Sequence, residues 1–291
     1  MPLRIGTRGS RLALAQAAEV AEMLGGETEL VPIVTSGDRG ASAEGVAGGV
    51  KGLFVAEITE ALARGEVDLA VHSAKDLPSE DPEGVVVAAV PQRALPYDVL
   101  IGADPGPGVR FGTSSLRRQA QLLRDHPDLE VVDLRGNVDT RLRRLEEGRC
   151  DGLVLAAAGL ARLGLEPPGA RPIPLDVMVP APGQGALAVQ AVEGSAAAEA
   201  AAAIDHPRSR AAFEAERDLV RLLGGGCRLP LGAYAEWRDE AVRLMAIVIR
   251  PDGSDPLMAQ VEAPDPAVAA AEAAEILRRG GAEDILREAE G

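Results

Sequence analysis

The residue with the clearest chemical potential is Cys227, which follows three glycines at 224–226 in a chain with only one other cysteine. Glycines remove side-chain bulk and allow backbone turns that other residues resist, so this loop can present the sulfur to a ligand. The neighbouring Arg228 would favour the thiolate. The segment therefore predicts a covalent attachment point or a nucleophile, and the alternative is a tight turn that happens to carry a cysteine.

A second candidate is Asp76, in the segment HSAKDLP at residues 72–78, which follows a strand pattern. Neighbouring cations such as Lys75 should hold this carboxylate ionised, and an ionised carboxylate can stabilise developing positive charge or relay protons. The alternative for a lone Lys-Asp dipeptide is a surface ion pair. His72 is better explained as a packing residue than as a base.

Arginines and small hydroxyl residues cluster at turns that precede helix patterns. These turns are TRGS at 7–10, GTSSLRR at 112–118 and LRGNVDTR at 134–141. Hydroxyl side chains cap the first amides of a helix, a helix N-terminus favours an anion, and guanidinium groups bind carboxylate or phosphate. The turns therefore predict binding of substrate anions, whereas Arg143 and Arg144 are interpreted as part of a solvated helix face.

The composition restricts the possible partners. Hydrophobic residues make up 46% of the 291 residues, which supports a folded core, and aromatic residues make up only 2%, too few for single-stranded nucleic-acid binding by base stacking. The net charge of −15 argues against contact with a nucleic-acid backbone. Two cysteines make no disulfide framework, and no Cys/His cluster has zinc spacing. We therefore expect a small-molecule substrate, no nucleic acid and no metal.

The first residues bear on where the protein is located. Residues 1–10 have the pattern of a strand and a loop, not of a charged region followed by an apolar export segment. No apolar run approaches the roughly 18 residues of a membrane-spanning helix. We therefore expect a cytoplasmic protein that does not bind membranes.

The order of strand and helix patterns predicts an α/β protein. Helix patterns at 11–24 and 53–64 separate strand patterns, one of them a buried strand at 30–35, which implies a parallel sheet. The alternation begins again after Pro96, and a strand at 186–191 is expected to return to the first sheet. The predicted domains are domain 1 at 1–95 with 185–204 (α/β, discontinuous), domain 2 at 96–184 (α/β) and a smaller C-terminal α+β domain 3 at 205–291, which carries Cys227.

The candidate turns have a shared position in this fold. Ligands of open α/β sheets lie at the carboxyl ends of the strands. The turns at 7–10 and 72–78, and the helix start KGLF at 51–54, should therefore face one cleft.

Taken in order, these segments resemble the porphobilinogen deaminase (hydroxymethylbilane synthase) family. The resemblance runs from residue 4 to about residue 235 and continues more weakly beyond. It implies two periplasmic-binding-protein-like α/β domains around a cleft, a smaller C-terminal domain, and a monomer. The segments that carry it are TRGS at 7–10, KGLF at 51–54, AVHSAKDLP at 70–78, residues 112–119, residues 134–141, PGQGA at 182–186 and GGC at 225–227.

The resemblance implies a reaction. Members of the family join four porphobilinogen molecules head to tail, release ammonia at each step and free hydroxymethylbilane by hydrolysis, in tetrapyrrole (haem) biosynthesis. It also implies a dipyrromethane cofactor, held by a thioether to Cys227, that primes the chain. Asp76 would be the catalytic carboxylate, since loss of ammonia leaves a cationic azafulvene that a nearby carboxylate can stabilise.

The binding residues follow from the same resemblance. Each pyrrole carries acetate and propionate arms, which guanidinium, ammonium and hydroxyl groups can bind. The implied cofactor-binding residues, besides Cys227, are Ser73, Lys75, Thr113, Ser115, Arg117, Arg118, Arg135 and Gln184. The implied substrate-binding residues are Arg8, Ser10, Lys51, Phe54, Arg141 and Arg162.

Two positions depart from the family pattern. Ala47 stands where some members carry a lysine, and Ser36 replaces a basic residue common in its turn. These changes bear on loop dynamics and turnover, not on Asp76 or Cys227. Cys150 has no implied role and is assigned to packing.

Two other functions stay open at this point. A non-catalytic carboxylate-binding module on a two-lobed fold would explain the arginine turns, but not the glycine-flanked cysteine. A phosphoribosyl- or nucleotide-binding enzyme would explain the anion sites. The chain, however, has no Gly-x-Gly-x-x-Gly or phosphate-loop motif.

Overall fold

The computed structural model describes residues 1–33, 49–224 and 229–290, without the side chains of 49–54 and 290. Cys227 and Arg228 lie outside the described residues, as do Ser36 and Ala47. Lys51 and Phe54 are described only as backbone. Within the described part, three sheets and their helices form the fold.

The first sheet is mixed. Its strands are β1 (Leu3–Arg8), β2 (Thr28–Ile33), β3 (Leu69–Ser73), β4 (Val85–Ala89) and β10 (Leu187–Val192), in the order β2-β1-β3-β10-β4. β1 runs parallel to β2 and β3, whereas β10 runs antiparallel to β3 and β4. The return of β10 to this sheet is confirmed. The prediction of a parallel sheet is wrong for β10, because this strand arrives from the second sheet and no helical crossover fixes its direction.

Three helices belong to this sheet: α1 (Arg11–Leu24), α2 (Gly49–Ala63) and α6 (Ala196–Ala202). α1 has the predicted bounds because Ser10 caps its first turn and Gly25, with φ of 65°, ends it. α2 begins before the predicted residue 53. The prediction that 30–35 is a buried strand is wrong, because β2 lies at the sheet edge and is partly exposed; Thr35 lies outside the described residues.

The second sheet contains elements that the sequence patterns did not predict. Its strands are β5 (Asp98–Gly102), β6 (Arg110–Gly112), β7 (Glu130–Val132), β8 (Gly152–Ala156) and β9 (Arg171–Pro172), in the order β7-β6-β8-β5-β9. Its helices are α3 (Leu116–Asp125), α4 (Val138–Glu146) and α5 (Ala157–Arg162). The unpredicted elements are β5, β9 and α5. β5 runs antiparallel to β8, so this sheet is mixed as well.

The C-terminal part is α+β, as predicted. Three antiparallel strands, β11 (Leu231–Arg238), β12 (Ala241–Val248) and β13 (Leu257–Ala263), pack against α7 (Pro207–Leu222), α8 (Pro266–Arg279) and α9 (Ala282–Glu290). Its core contains many buried alanines, such as Ala246 and Ala273, and Trp237 packs against its edge. The predicted fold class, two α/β sheets and a smaller α+β part, is therefore confirmed.

A membrane span can be assessed from helix length and hydropathy. Within the described ranges, no helix is both long and apolar enough to cross a bilayer. The longest described helix, α7, has 16 residues.

Candidate active site

Asp76 lies at the carboxyl end of β3, in the middle of the first sheet. β3 is buried up to Ser73, and one 3-10 turn at Ala74–Asp76 follows it. The amide of Leu77 closes the turn by donating to the carbonyl of Ala74 at 3.2 Å. Ala74 and Leu77 are buried whereas Asp76 is half-buried. The two apolar anchors thus hold the carboxylate at the sheet edge.

Several residues proposed from the sequence line one pocket with this carboxylate. The pocket lies between the ends of β1 and β3 on one side and α5 on the other. It confirms that the turns at 7–10 and 72–78 face one cleft. The proposed residues in its lining are Arg8, Ser10, Ser73, Lys75, Asp76 and Arg162.

Arg162 is held in the pocket wall from two sides. Its Nε donates to Glu19 Oε2 at 2.7 Å, and its Nη2 donates to the carbonyl of Gly185 at 3.2 Å. The side chain is only 8% exposed. Ser10, by contrast, uses its hydroxyl to accept from the Ala13 amide at 3.2 Å, as an N-cap of α1.

A second group of proposed residues converges on Asp98, which sequence reasoning missed. Asp98 opens β5 and is fully buried. Its Oδ2 accepts from Arg117 Nη2 at 2.8 Å. Its Oδ1 accepts from Arg118 Nη2 at 2.7 Å and from Gln184 Nε2 at 3.0 Å. Three residues assigned to the cofactor thus share one carboxylate. The available signal was an acid opening an apolar run, since a buried carboxylate requires partners.

The charges around Asp98 leave the group cationic. Burial alone would raise the pKa of Asp98, but Arg117 and Arg118 outweigh it and hold that pKa well below the usual range. Burial lowers the pKa of Arg117. Two guanidinium groups therefore face one carboxylate. In the described part of the chain, the buried Nε atoms of both arginines have no hydrogen-bond partner.

Arg141 in α4 connects this group electrostatically to the first pocket. Burial lowers the pKa of Arg141 to about 10, Arg118 acts in the same direction, and Asp133 and Asp76 oppose it. Its buried Nε also has no partner among the described residues. An added carboxylate would relieve the repulsion between these guanidinium groups. The donor set therefore fits a ligand with several carboxylates. Dipyrromethane, with its acetate and propionate arms, is such a ligand.

The remaining proposed residues of the second sheet differ in position. Thr113 is buried, and its Oγ1 accepts from the Ser115 amide at 3.1 Å. Ser115 in turn caps α3, as the small hydroxyl residues of this turn predicted. Arg135 is exposed and pairs with Asp133 at 3.0 Å. It does not line the pocket that contains Asp76.

Other sequence interpretations are confirmed. Burial lowers the pKa of His72 to about 4, which keeps the ring neutral and suits a packing residue. Cys150 is buried in the core of the second sheet. Arg143 is exposed and lies 3.5 Å from Glu147, as a solvated helix face requires. Arg144 donates to the carbonyl of Arg135 at 2.9 Å. Metal binding is a separate question: among the described residues, no group of three or more His, Cys, Asp or Glu side chains could hold a metal ion.

Two family models match the chain. The porphobilinogen deaminase, dipyromethane cofactor binding domain matches residues 3–200, and the porphobilinogen deaminase, C-terminal domain matches residues 211–280. The chain belongs to the porphobilinogen deaminase family. The predicted family is confirmed, and with it the reaction class, a transferase, and the dipyrromethane cofactor.

Relatives named porphobilinogen deaminase align over most of their length. The protein of Syntrophotalea carbinolica is 46% identical, over 98% of this chain and 95% of its own. That of Rubrobacter xylanophilus is 49% identical, over 87% and 86%, and that of Thermus thermophilus is 47% identical, over 89% and 88%. Porphobilinogen deaminases condense porphobilinogen head to tail in tetrapyrrole biosynthesis, and this chain shares that activity.

Solved structures show a more distant likeness. The substrate binding protein of an amino acid ABC transporter matches with a TM-score of 0.33 at 16% identity, over 70% of this chain and 91% of that chain. The GluR0 ligand binding core matches with a TM-score of 0.35 at 14% identity, over 69% and 89%. Likenesses at this level decide nothing about the ligand of this chain.

Proposed function

We propose that this chain condenses porphobilinogen with Asp76 as its catalytic carboxylate and Cys227 as the covalent attachment point of dipyrromethane. The observation that supports Asp76 is the composition of its pocket. Among the described residues that line it, Asp76 is the only acid, and the cations Arg8, Lys75 and Arg162 accompany it. Such a pocket suits a substrate with carboxylate arms and one centre of developing positive charge.

Each group in the pocket has a defined task in this proposal. Arg8 and Arg162 bind the carboxylate arms of the incoming porphobilinogen and fix its orientation, whereas Lys75 binds an arm of the cofactor. Asp76 stabilises the positive charge that develops on the substrate as ammonia leaves, and it accepts a proton when the new bond has formed. When bound, dipyrromethane supplies the nucleophilic pyrrole ring and a covalent tether.

The cationic group of the second sheet would hold the cofactor. Asp98 holds the guanidinium groups of Arg117 and Arg118 in place. The charges of Arg118 and Asp76 both act on Arg141, so it belongs to the same group of cations. The full proposed assignment keeps Ser73, Lys75, Thr113, Ser115, Arg117, Arg118, Arg135, Gln184 and Cys227 on the cofactor. It keeps Arg8, Ser10, Lys51, Phe54, Arg141 and Arg162 on the substrate.

The wider setting belongs to the same proposal. The chain would act in the cytoplasm as a monomer, without nucleic acid. Its net charge of −15 supports the absence of nucleic acid. The proposed domains are 1–95 with 185–204, 96–184 and 205–291; the three separate sheets support this division.

Intact mass spectrometry tests the attachment point. The purified active protein should exceed its sequence mass by one dipyrromethane group, and peptide mapping should place that group on Cys227. Cys227→Ser should show the bare mass and no turnover, because it lacks the tether, whereas the matched control Cys150→Ser should keep the added mass. An active wild-type protein with an unmodified Cys227 would overturn the proposal.

A further inference from the structure

Helix α7 packs against the turn that carries Asp76. Phe213, Glu216 and Arg217 lie at i, i+3 and i+4 and so share one face of this helix. Phe213 is 3% exposed and packs in one apolar cluster with Ala74 and Leu77, the buried residues on either side of Asp76. The turn therefore rests on a helix of the C-terminal part.

Arg217 binds the backbone just after the turn. Its Nε and Nη2 donate to the carbonyl of Pro78 at 3.1 and 3.0 Å, and its Nη1 donates to Asp81 Oδ2 at 2.8 Å. The other oxygen of Asp81 accepts from Gln190 Nε2 on β10 at 2.8 Å. The Arg217 side chain is 17% exposed and its guanidinium lies 5.6 Å from the Phe213 ring centre. Arg217 thus holds residues 78–81 between α7 and the first sheet.

Glu216 binds a segment that packs against the turn. It is fully buried, and its Oε2 accepts from the Gly183 amide at 2.5 Å. Gly183 has φ of 73°, and a Cβ there would lie 2.8 Å from both the carbonyl carbon of Ala74 and the nitrogen of Lys75. The segment around Gly183 therefore packs directly against the backbone of the Asp76 turn, with no room for a side chain at residue 183. Two consecutive residues of α7 therefore support this turn, Arg217 through the backbone that follows it and Glu216 through the segment packed against it.

We propose that Arg217 is a positioning residue for the condensation, which keeps the Asp76 turn in register with the part of the chain that carries Cys227. α7 ends at Leu222, shortly before that cysteine. The inference rests on the proposed function, because it presumes the roles of Asp76 and Cys227. Misplacement of reacting groups by about 1 Å can cost about 100-fold in rate, so a helix that binds one partner and leads to the other has a direct effect on turnover.

The test compares two arginines on the same helix. Arg221 pairs with Asp218 within α7 at 2.9 Å, so Arg221→Gln is a matched control. For Arg217→Gln we expect kcat to fall about 10-fold, with KM within about twofold and the full cofactor mass retained, because orientation is lost while binding groups remain. Arg217→Lys should recover part of kcat, since an ammonium group can still donate to the Pro78 carbonyl or to Asp81.

Three results would overturn the inference. One is a kcat of Arg217→Gln equal to that of Arg221→Gln; another is a fall in kcat explained entirely by missing cofactor mass. If Arg217→Gln does not fold, Arg217→Lys decides, and a kcat equal to that of Arg221→Gln counts against the proposal. Asp76→Asn separates the two levels: if it is inactive while Arg217→Gln is normal, only this inference fails.

Discussion

Asp76 and Asp98 are both aspartates among arginines, but the fold gives them opposite environments. Asp98 is fully buried, and Arg117, Arg118 and Gln184 donate to its two oxygens. Asp76 is half-buried at the end of a turn and lines a pocket. A carboxylate saturated by protein donors can organise its neighbours, whereas one at a pocket wall can meet a substrate. Arginines around an acid therefore do not by themselves make it catalytic.

The largest effect should come from Asp76→Asn, which keeps the shape of the side chain and removes its charge. Turnover should fall by at least about 100-fold, because cation stabilisation and proton transfer are lost together. Steady-state kinetics would measure it. Asp104→Asn, at an acid that is 80% exposed and pairs with Arg171, is the control. Near-normal turnover of Asp76→Asn would make Asp76 structural and erase the contrast with Asp98.

A smaller effect on rate and a larger one on stability should follow Asp98→Asn. The change leaves Arg117 and Arg118 buried without their shared counter-charge, and breaking a buried ion pair costs about 3 kcal/mol or more of unfolding free energy. Turnover should fall about 10-fold through reduced cofactor loading, since the guanidinium groups lose their fixed orientation. Denaturant unfolding and intact mass would measure the two effects. A stable, fully loaded variant would show that Asp98 does not organise this group.

The smallest effect concerns His72, which lies near Asp76. Burial lowers its pKa to about 4 from 6.5, so the native state holds the neutral ring. The resulting stability is complete above pH 6.5 and is lost as the pH falls towards 4. Between pH 7 and pH 5 the free energy of unfolding should fall by about 2 kcal/mol from this group.

Two measurements check the His72 prediction. Denaturant unfolding at pH 7 and pH 5 should show the fall in wild type and a smaller one in His72→Gln. Imidazole NMR signals of His72 should remain those of the neutral ring at pH 6. A ring that is protonated at pH 6 would contradict the prediction and would place a second titrating group beside Asp76.

Local signals explain what could be predicted from the sequence. The bounds of α1 follow from Ser10 and Gly25, and the cleft follows from turns after strands. Asp98 was missed because its partners lie far along the chain, at Arg117, Arg118 and Gln184, and only packing brings them together. The prediction that β2 is buried was wrong, because an apolar run does not reveal whether its strand lies at a sheet edge.

For several site residues, too, the contacts could not be predicted from the local sequence. The family resemblance placed Arg135 with the other cofactor residues, but no local signal indicates that it is exposed and paired with Asp133. Arg217 and Glu216 also carried no signal, because an arginine and a glutamate in a charged helix pattern resemble a solvated face. Their contacts depend on where α7 docks, which is a property of the tertiary fold.

Trp237, at the edge of the C-terminal core, is the only tryptophan of the chain. Intrinsic indole fluorescence is therefore an optical reporter confined to that core. If the two α/β sheets unfolded first, the tryptophan emission would stay unchanged, while circular dichroism would already show a loss of helix. A difference between the two melting curves would reveal the order in which the parts of this molecule unfold.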